Sequence, residues 1–229
     1  LRNWVQETFT SDTTNESYTD VCKDHWDSKY LDSKKDKRDD TGNKITGADG
    51  KYLKGRVFNK HARHNICYVP GLSQTANYDK GEGTIVDLTT KVALHQAVET
   101  IKQQITNGLE RIQSETKVEI NVVEGNRYYD LSTTGIGFHG DTERVVVVCI
   151  SIGGENYPIR WQWFKDRLPV GDPIDIKLND GDVYIMSEKA VGADWKKGSI
   201  YTLRHAAGAD KYRSLKKWEA RIAKKASHA

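Results

Sequence analysis

Gly135-Ile136-Gly137-Phe138-His139-Gly140-Asp141-Thr142-Glu143 is the stretch on which the reading of this chain turns. It runs directly into Arg144 to Ile152, the most continuously apolar and β-branched segment of the protein, which reads as a buried strand. His139 and Asp141 stand two apart. On extended backbone their side chains emerge on the same face, close enough to grip one metal ion. A third ligand is available from Tyr201-Thr202-Leu203-Arg204-His205, a later strand-like segment. Two imidazoles and one carboxylate on one face of an octahedral ion leave three positions open for other ligands. The plainer reading is a His and an Asp that close a hairpin at a strand end.

The totals set bounds around this motif. With 229 residues the chain is long enough to bury a core, and it reads as one domain with extensions. Charged residues make up 29% of it and nearly balance, at a formal net charge of +3, so charge alone names no partner. No apolar run approaches a membrane span, and the N-terminal region lacks the apolar segment of a secretory signal. The cysteines Cys22, Cys67 and Cys149 are odd in number and widely spaced, as expected of reduced thiols. These features together predict a monomeric intracellular protein of the cytoplasm or nucleus, neither secreted nor held in a membrane.

Outward from the motif, three regions are expected. Residues 1–50 form a polar N-terminal extension whose aromatics, among them Trp26 and Tyr30, pack on the rest. Residues 51–213 form the core, and residues 214–229 a basic helix and tail marked by Leu215, Trp218 and Ile222. Within the core, residues 56–58 and 65–70 read as short strands flanking Lys60 to Asn65. Leu94, Val98, Ile101, Ile105, Leu109 and Ile112 recur at steps of three and four, which predicts an amphipathic helix of about five turns that buttresses a sheet. Strands follow at 118–123, 127–129, the His139 segment and 145–152. A hairpin turn is expected at Gly153-Gly154. Next come a strand over 158–164 with Ile159, Trp161 and Trp163 on one face, a tight turn at 179–182, a strand over 183–187, and the His205 strand. One long helix followed by at least six β segments predicts an α+β protein built on an antiparallel sandwich or barrel.

Four blocks, taken in order, resemble a known family, the Fe(II)- and 2-oxoglutarate-dependent dioxygenases of the AlkB-like branch. Asn126-Arg127-Tyr128 resembles the family's Asn-x-Tyr, and Gly135 to Glu143 resembles its Gly-Ile-Gly-aromatic-His-x-Asp-x-Glu. Cys149 to Gly153 and Leu178 to Met186 resemble the two strands that precede the distal histidine. The resemblance implies a double-stranded β-helix (jelly-roll) core, iron held by His139, Asp141 and His205, and 2-oxoglutarate as co-substrate. It also implies that Asn126 and Tyr128 contact that co-substrate, that Arg213 clamps its distal carboxylate, and that Glu143 faces the substrate. The family's Thr-Phe-Arg motif is missing after the distal histidine, where this chain reads Ala206-Ala-Gly-Ala-Asp-Lys-Tyr-Arg213. Arg213 is the first arginine downstream, with Arg221 second; Arg204 neighbours His205 and would point to the opposite face of a strand.

Three functions follow as expectations. The first is an oxygenase that hydroxylates or demethylates a nucleobase or other nucleic-acid group, in DNA, RNA or a nucleotide. The second is an oxygenase of the same fold acting on an amino acid, peptide or protein. The third is a non-catalytic sandwich domain in which His139, Asp141 and His205 never meet.

Overall fold

The computed structural model describes residues 20–226, with the side chains at 30–35, 55–61, 221 and 223–226 left aside. It is a mixed α+β structure, mostly antiparallel, and it divides into two compact units, Lys23–Arg127 and the unit that begins at Tyr128.

In the first unit, β1 (Asp27–Asp36) pairs antiparallel with the long β2 (Lys54–Val69). β2 also takes β3 (Ile85–Asp87) in parallel and β4 (Val123–Arg127) antiparallel. The two short strands expected around Lys60 to Asn65 are therefore one. A ladder running from Asp27↔Asn65 to Asp36↔Lys54 satisfies the backbone of a segment whose polar side chains conceal it. The boundary expected at residue 50 consequently runs through a β-hairpin, because the polar stretch supplies β1. Asp27 is buried and accepts hydrogen bonds from the backbone N–H and the hydroxyl of Thr84 and from the hydroxyl of Tyr78.

The amphipathic helix is present as α1 (Val92–Arg111), with Ala97, Val98 and Ile101 buried. It belongs to the Lys23–Arg127 unit.

The second unit holds a four-stranded sheet in the order β5 (Gly135–His139), β10 (Thr202–Gly208), β7 (Tyr157–Lys165) and β8 (Leu168–Leu178). A separate ladder joins β6 (Val147–Ile150) to β9 (Val183–Met186). Tyr157, Ile159, Trp161, Leu178, Met186, Val191, Leu203 and Ala207 make one core cluster, so the ladder and one face of the sheet bury each other. The short helices α2 (Glu188–Val191), α3 (Asp210–Arg213) and α4 (Lys216–Ala226) follow β9 and β10. On the other face of the sheet Phe138, Phe164 and Trp218 of α4 meet edge to face, with ring centroids 5.3–5.8 Å apart.

Two strand expectations are corrected. Gly153-Gly154 does not close a hairpin, since β6 pairs with β9 while β7 pairs with β10 and β8. Nor is the Val145 to Ile152 run fully buried, for Val145 and Val146 are exposed. The sequence also hides β8, whose Pro169, Gly171, Asp172 and Pro173 look like a loop. An edge strand tolerates them because a proline there needs no partner for its missing N–H. Among the described residues no helix is long and apolar enough to cross a membrane.

Phe164 is fully buried between Phe138, Trp218 and the strand pair. Replacing it with Ala leaves a cavity that these rings cannot close, and is expected to cost about 3–5 kcal/mol. Urea denaturation monitored by tryptophan fluorescence checks this, and a loss below about 1 kcal/mol would contradict it.

Candidate metal centre

β10 is bonded on both edges, which places His205 opposite His139 of β5 on one side and opposite Trp161 of β7 on the other. β5 ends at His139, and the chain then passes through Gly140 to Asp141. A Cβ at Gly140 would lie 2.1 Å from the carbonyl oxygen of Gly192. Gly192 itself has φ +77°, and a Cβ there would lie 2.4 Å from the oxygen of Leu203. Only hydrogen at both positions lets the segment after β5 press against the end of α2 and the flank of β10. The backbone N–H of Asp141 then donates to Val191, at 3.1 Å.

This route turns the Asp141 carboxylate back toward the histidines. His139 Nε2 lies 3.5 Å from Asp141 Oδ1, and one ligand atom from each of His139, Asp141 and His205 lies within 4.8 Å of the others. His139 Nδ1 sits 2.8 Å from the carbonyl oxygen of Gly137 and 3.1 Å from that of His205. Carbonyls only accept, so Nδ1 carries the proton and the Nε2 lone pair is left toward Asp141. Arg144 Nη1 donates to Asp141 Oδ2 at 3.3 Å, which leaves Oδ1 on the histidine side. His205 is buried, and the side chains of Asp141 and His139 are 13% and 23% exposed, so the cluster is sheltered but reachable. Two imidazoles and one carboxylate converging on one point fit a divalent ion of the kind held by two histidines and a carboxylate.

Further side chains close in on this cluster. The indole N–H of Trp161 donates to Ala190, at 3.1 Å, and its ring lies 6.4 Å from that of His205. Tyr184 packs edge-on to Trp161 and pairs across the ladder with Cys149. Burial above all pushes the Tyr184 phenol well above its ordinary pKa range, and Cys149, Tyr128 and Asp141 add to the effect. The phenol therefore stays protonated and neutral. Tyr184 was missed in the sequence, although Val183 to Met186 alternates and puts Tyr184 on the face of Met186.

The other expected site residues take the following positions. Tyr128 stacks at 4.8 Å on Tyr157 and packs against the core cluster, whereas Tyr129 is exposed. Asn126 belongs to the Lys23–Arg127 unit, where its side-chain oxygen accepts from Arg63 and Asn65. Arg213 lies on the single turn of α3, not on a strand; its Nε donates to Gly208 O at 2.7 Å and its Nη2 to Asp210. Glu143 is 69% exposed beside Arg144, and the side chain of Arg221 lies outside the described residues. Arg204 projects away from His205 and covers Phe164, as alternation along a strand requires.

No protein-family model matches the sequence. An uncharacterized protein of Acanthamoeba polyphaga mimivirus is similar to this chain, 44% identical over 161 residues. The alignment covers 70% of this chain and 58% of the viral protein, so the chain spans less than two thirds of its relative's length.

The geometry makes two substitutions informative. Asp141→Ala is expected to abolish Co(II) binding measured by calorimetry. Gly140→Ala, which touches no ligand atom, should weaken it by about 10–100-fold, the range typical of disturbed supporting residues. Unchanged Co(II) affinity in both variants would show that the three side chains do not act together.

Proposed function

We propose that this protein is an Fe(II)- and 2-oxoglutarate-dependent oxygenase on a jelly-roll core, and that it hydroxylates or demethylates a nucleobase or nucleic-acid substrate. The observation that carries the reading is the convergence of His139, Asp141 and His205, one ligand atom from each lying within 4.8 Å of the others. In this reading His139, Asp141 and His205 hold iron. The bound metal and co-substrate supply oxygen activation and C–H oxidation, which no side chain can supply alone.

The chain's own groups do the rest. The carbonyls of Gly137 and His205 keep His139 in the tautomer that can ligate. Arg144 restrains the second oxygen of Asp141, while Trp161 and Tyr184 pack edge-on beside His205. Tyr128 and Asn126 are assigned to the co-substrate by the resemblance, as Arg213 is to its distal carboxylate and Glu143 to the substrate. A nucleic-acid substrate accords with the surface lysines Lys196 and Lys197 and the basic α4. An intracellular monomer is part of the same proposal. An amino acid, peptide or protein substrate is the alternative that the same metal site would serve.

The reaction is tested by succinate release from 2-oxoglutarate, with Fe(II) present, against a panel of methylated nucleosides, oligonucleotides and peptides. Release that depends on substrate and disappears in His205→Ala is expected. Arg213→Ala should raise the 2-oxoglutarate concentration needed by roughly 10–100-fold, the loss of charge-assisted hydrogen bonds to one carboxylate. Succinate release that is identical in wild type and His205→Ala would reject the oxygenase reading.

A further inference from the structure

On the face of the sheet that turns away from the metal cluster, β10 and β7 bury a row of polar side chains. Thr202 and Gln162 are 1% and 0% exposed, and Arg204, directly across from Gln162, is 9% exposed. Thr202 Oγ1, Gln162 Oε1 and Arg204 Nε are all without a hydrogen-bond partner. Water can satisfy a hydroxyl and an amide oxygen, but it cannot neutralise a guanidinium. Among the described residues no carboxylate forms an ion pair with Arg204. Its guanidinium carbon lies 4.2 Å from the centre of the Phe164 ring and 5.5 Å from that of Trp195. Aromatic faces return only part of what a buried cation loses in hydration.

A second cation stands beside it. Arg167 closes the β7–β8 hairpin, and its side chain runs along Gly198, within 3.3 Å of where a Cβ would be. Trp195 and Gly198 belong to one short turn, so the two guanidiniums flank the same loop. Arg167 has φ +64°, and Asp166 before it +51°, positions that a two-residue hairpin more readily fills with glycine or asparagine. Burial first, and the charge of Arg167 second, disfavour the charged form of Arg204, as two like charges without an anion should. Lys196 stacks on Trp195 at the rim, and Lys165 reaches Ser199.

We infer that Arg204 and Arg167, with Trp195 as the wall between them, form a phosphate-binding site separate from the metal cluster. Two guanidiniums supply two positive charges and forked donors that match a tetrahedral dianion, where a lone carboxylate would balance only one of them. The site rests on these residues and is independent of the oxygenase reading. A free phosphate, a phosphomonoester and the backbone of a nucleic acid share the chemistry it recognises.

The test is calorimetric titration of the full chain, in phosphate-free chloride buffer, with inorganic phosphate, adenosine 5′-monophosphate and a ten-residue single-stranded DNA. Wild type is expected to bind inorganic phosphate, and Arg167→Ala to bind it about tenfold or more weakly, as for one lost charge-assisted contact. Arg167 is exposed, so this variant keeps its fold even where Arg204→Met, which should remove binding altogether, does not. Acetate, a monoanion, should compete poorly. Tighter binding of the DNA than of phosphate names nucleic acid as the source, and the reverse names a small phosphorylated molecule. The proposal is overturned if wild type does not bind phosphate, or if Arg167→Ala binds it as tightly as wild type does.

Discussion

Strand β10 is the constraint on which the second unit depends. Every residue from Thr202 to Gly208 is buried, and the strand is hydrogen-bonded along both edges. A strand so enclosed must satisfy its backbone completely and cannot slip, because a one-residue shift would exchange its two faces. One face carries Leu203, His205 and Ala207 into the core and the metal cluster. The other carries Thr202, Arg204 and Ala206 toward Phe164 and Trp218. The separation of the His205 face from the Arg204 face is thus a consequence of the period of two in a single strand.

Around β10, the absence of side chains matters as much as their presence. Gly140 and Gly192 touch through backbone atoms, and Gly208 packs on Gly135 and Thr134 in the same way, at φ +89°. These contacts draw β5, α2 and β10 closer than any Cβ would permit, and the Asp141 carboxylate reaches His139 because of them. The convergence of these three side chains therefore relies on three layers. The ladder sets His205 against His139, glycine contacts set the path of Gly140 to Asp141, and the carbonyls of Gly137 and His205 with Arg144 set the rotational state of the ligands.

The two units differ in how they bury polar groups. In Lys23–Arg127 the buried Asp27 is saturated by Thr84 and Tyr78, a satisfied network that stabilises a strand start. The Tyr78 phenol is pushed up to about 12, chiefly by burial and then by its bond to Asp27, so the contact persists through the neutral range. On the reverse face of the β5-β10-β7-β8 sheet the polar row is left open, and Arg204 is the group that burial costs most. A closed network reads as architecture, and an open one as a place for something else to bind.

The sequence by itself determined what depends on short range. His139 and Asp141 could be paired by their spacing of two, although Asp141 lies beyond the end of β5 and is brought to His139 by the path through Gly140. α1 was placed within two residues at either end because a 3.6-residue period marks a helix wherever it packs. The opposite orientations of Arg204 and His205 followed from alternation along a strand. What only the tertiary structure decided is partnership over distance. That β6 pairs with β9 and not with β7, and that Pro169 to Pro173 lie in an edge strand, are matters of which surfaces meet. Arg213 illustrates the limit: its place in the sequence suggested a strand cation, but Gly208 ends β10 at positive φ and the chain turns into α3, where a backbone carbonyl and Asp210 take its donors. Tyr184 entered the site through Trp161 and Cys149, neighbours that lie far from it in sequence. Local pattern dictates which face a side chain takes, while packing selects the element that lies opposite, because burial rewards any complementary surface whatever its separation along the chain.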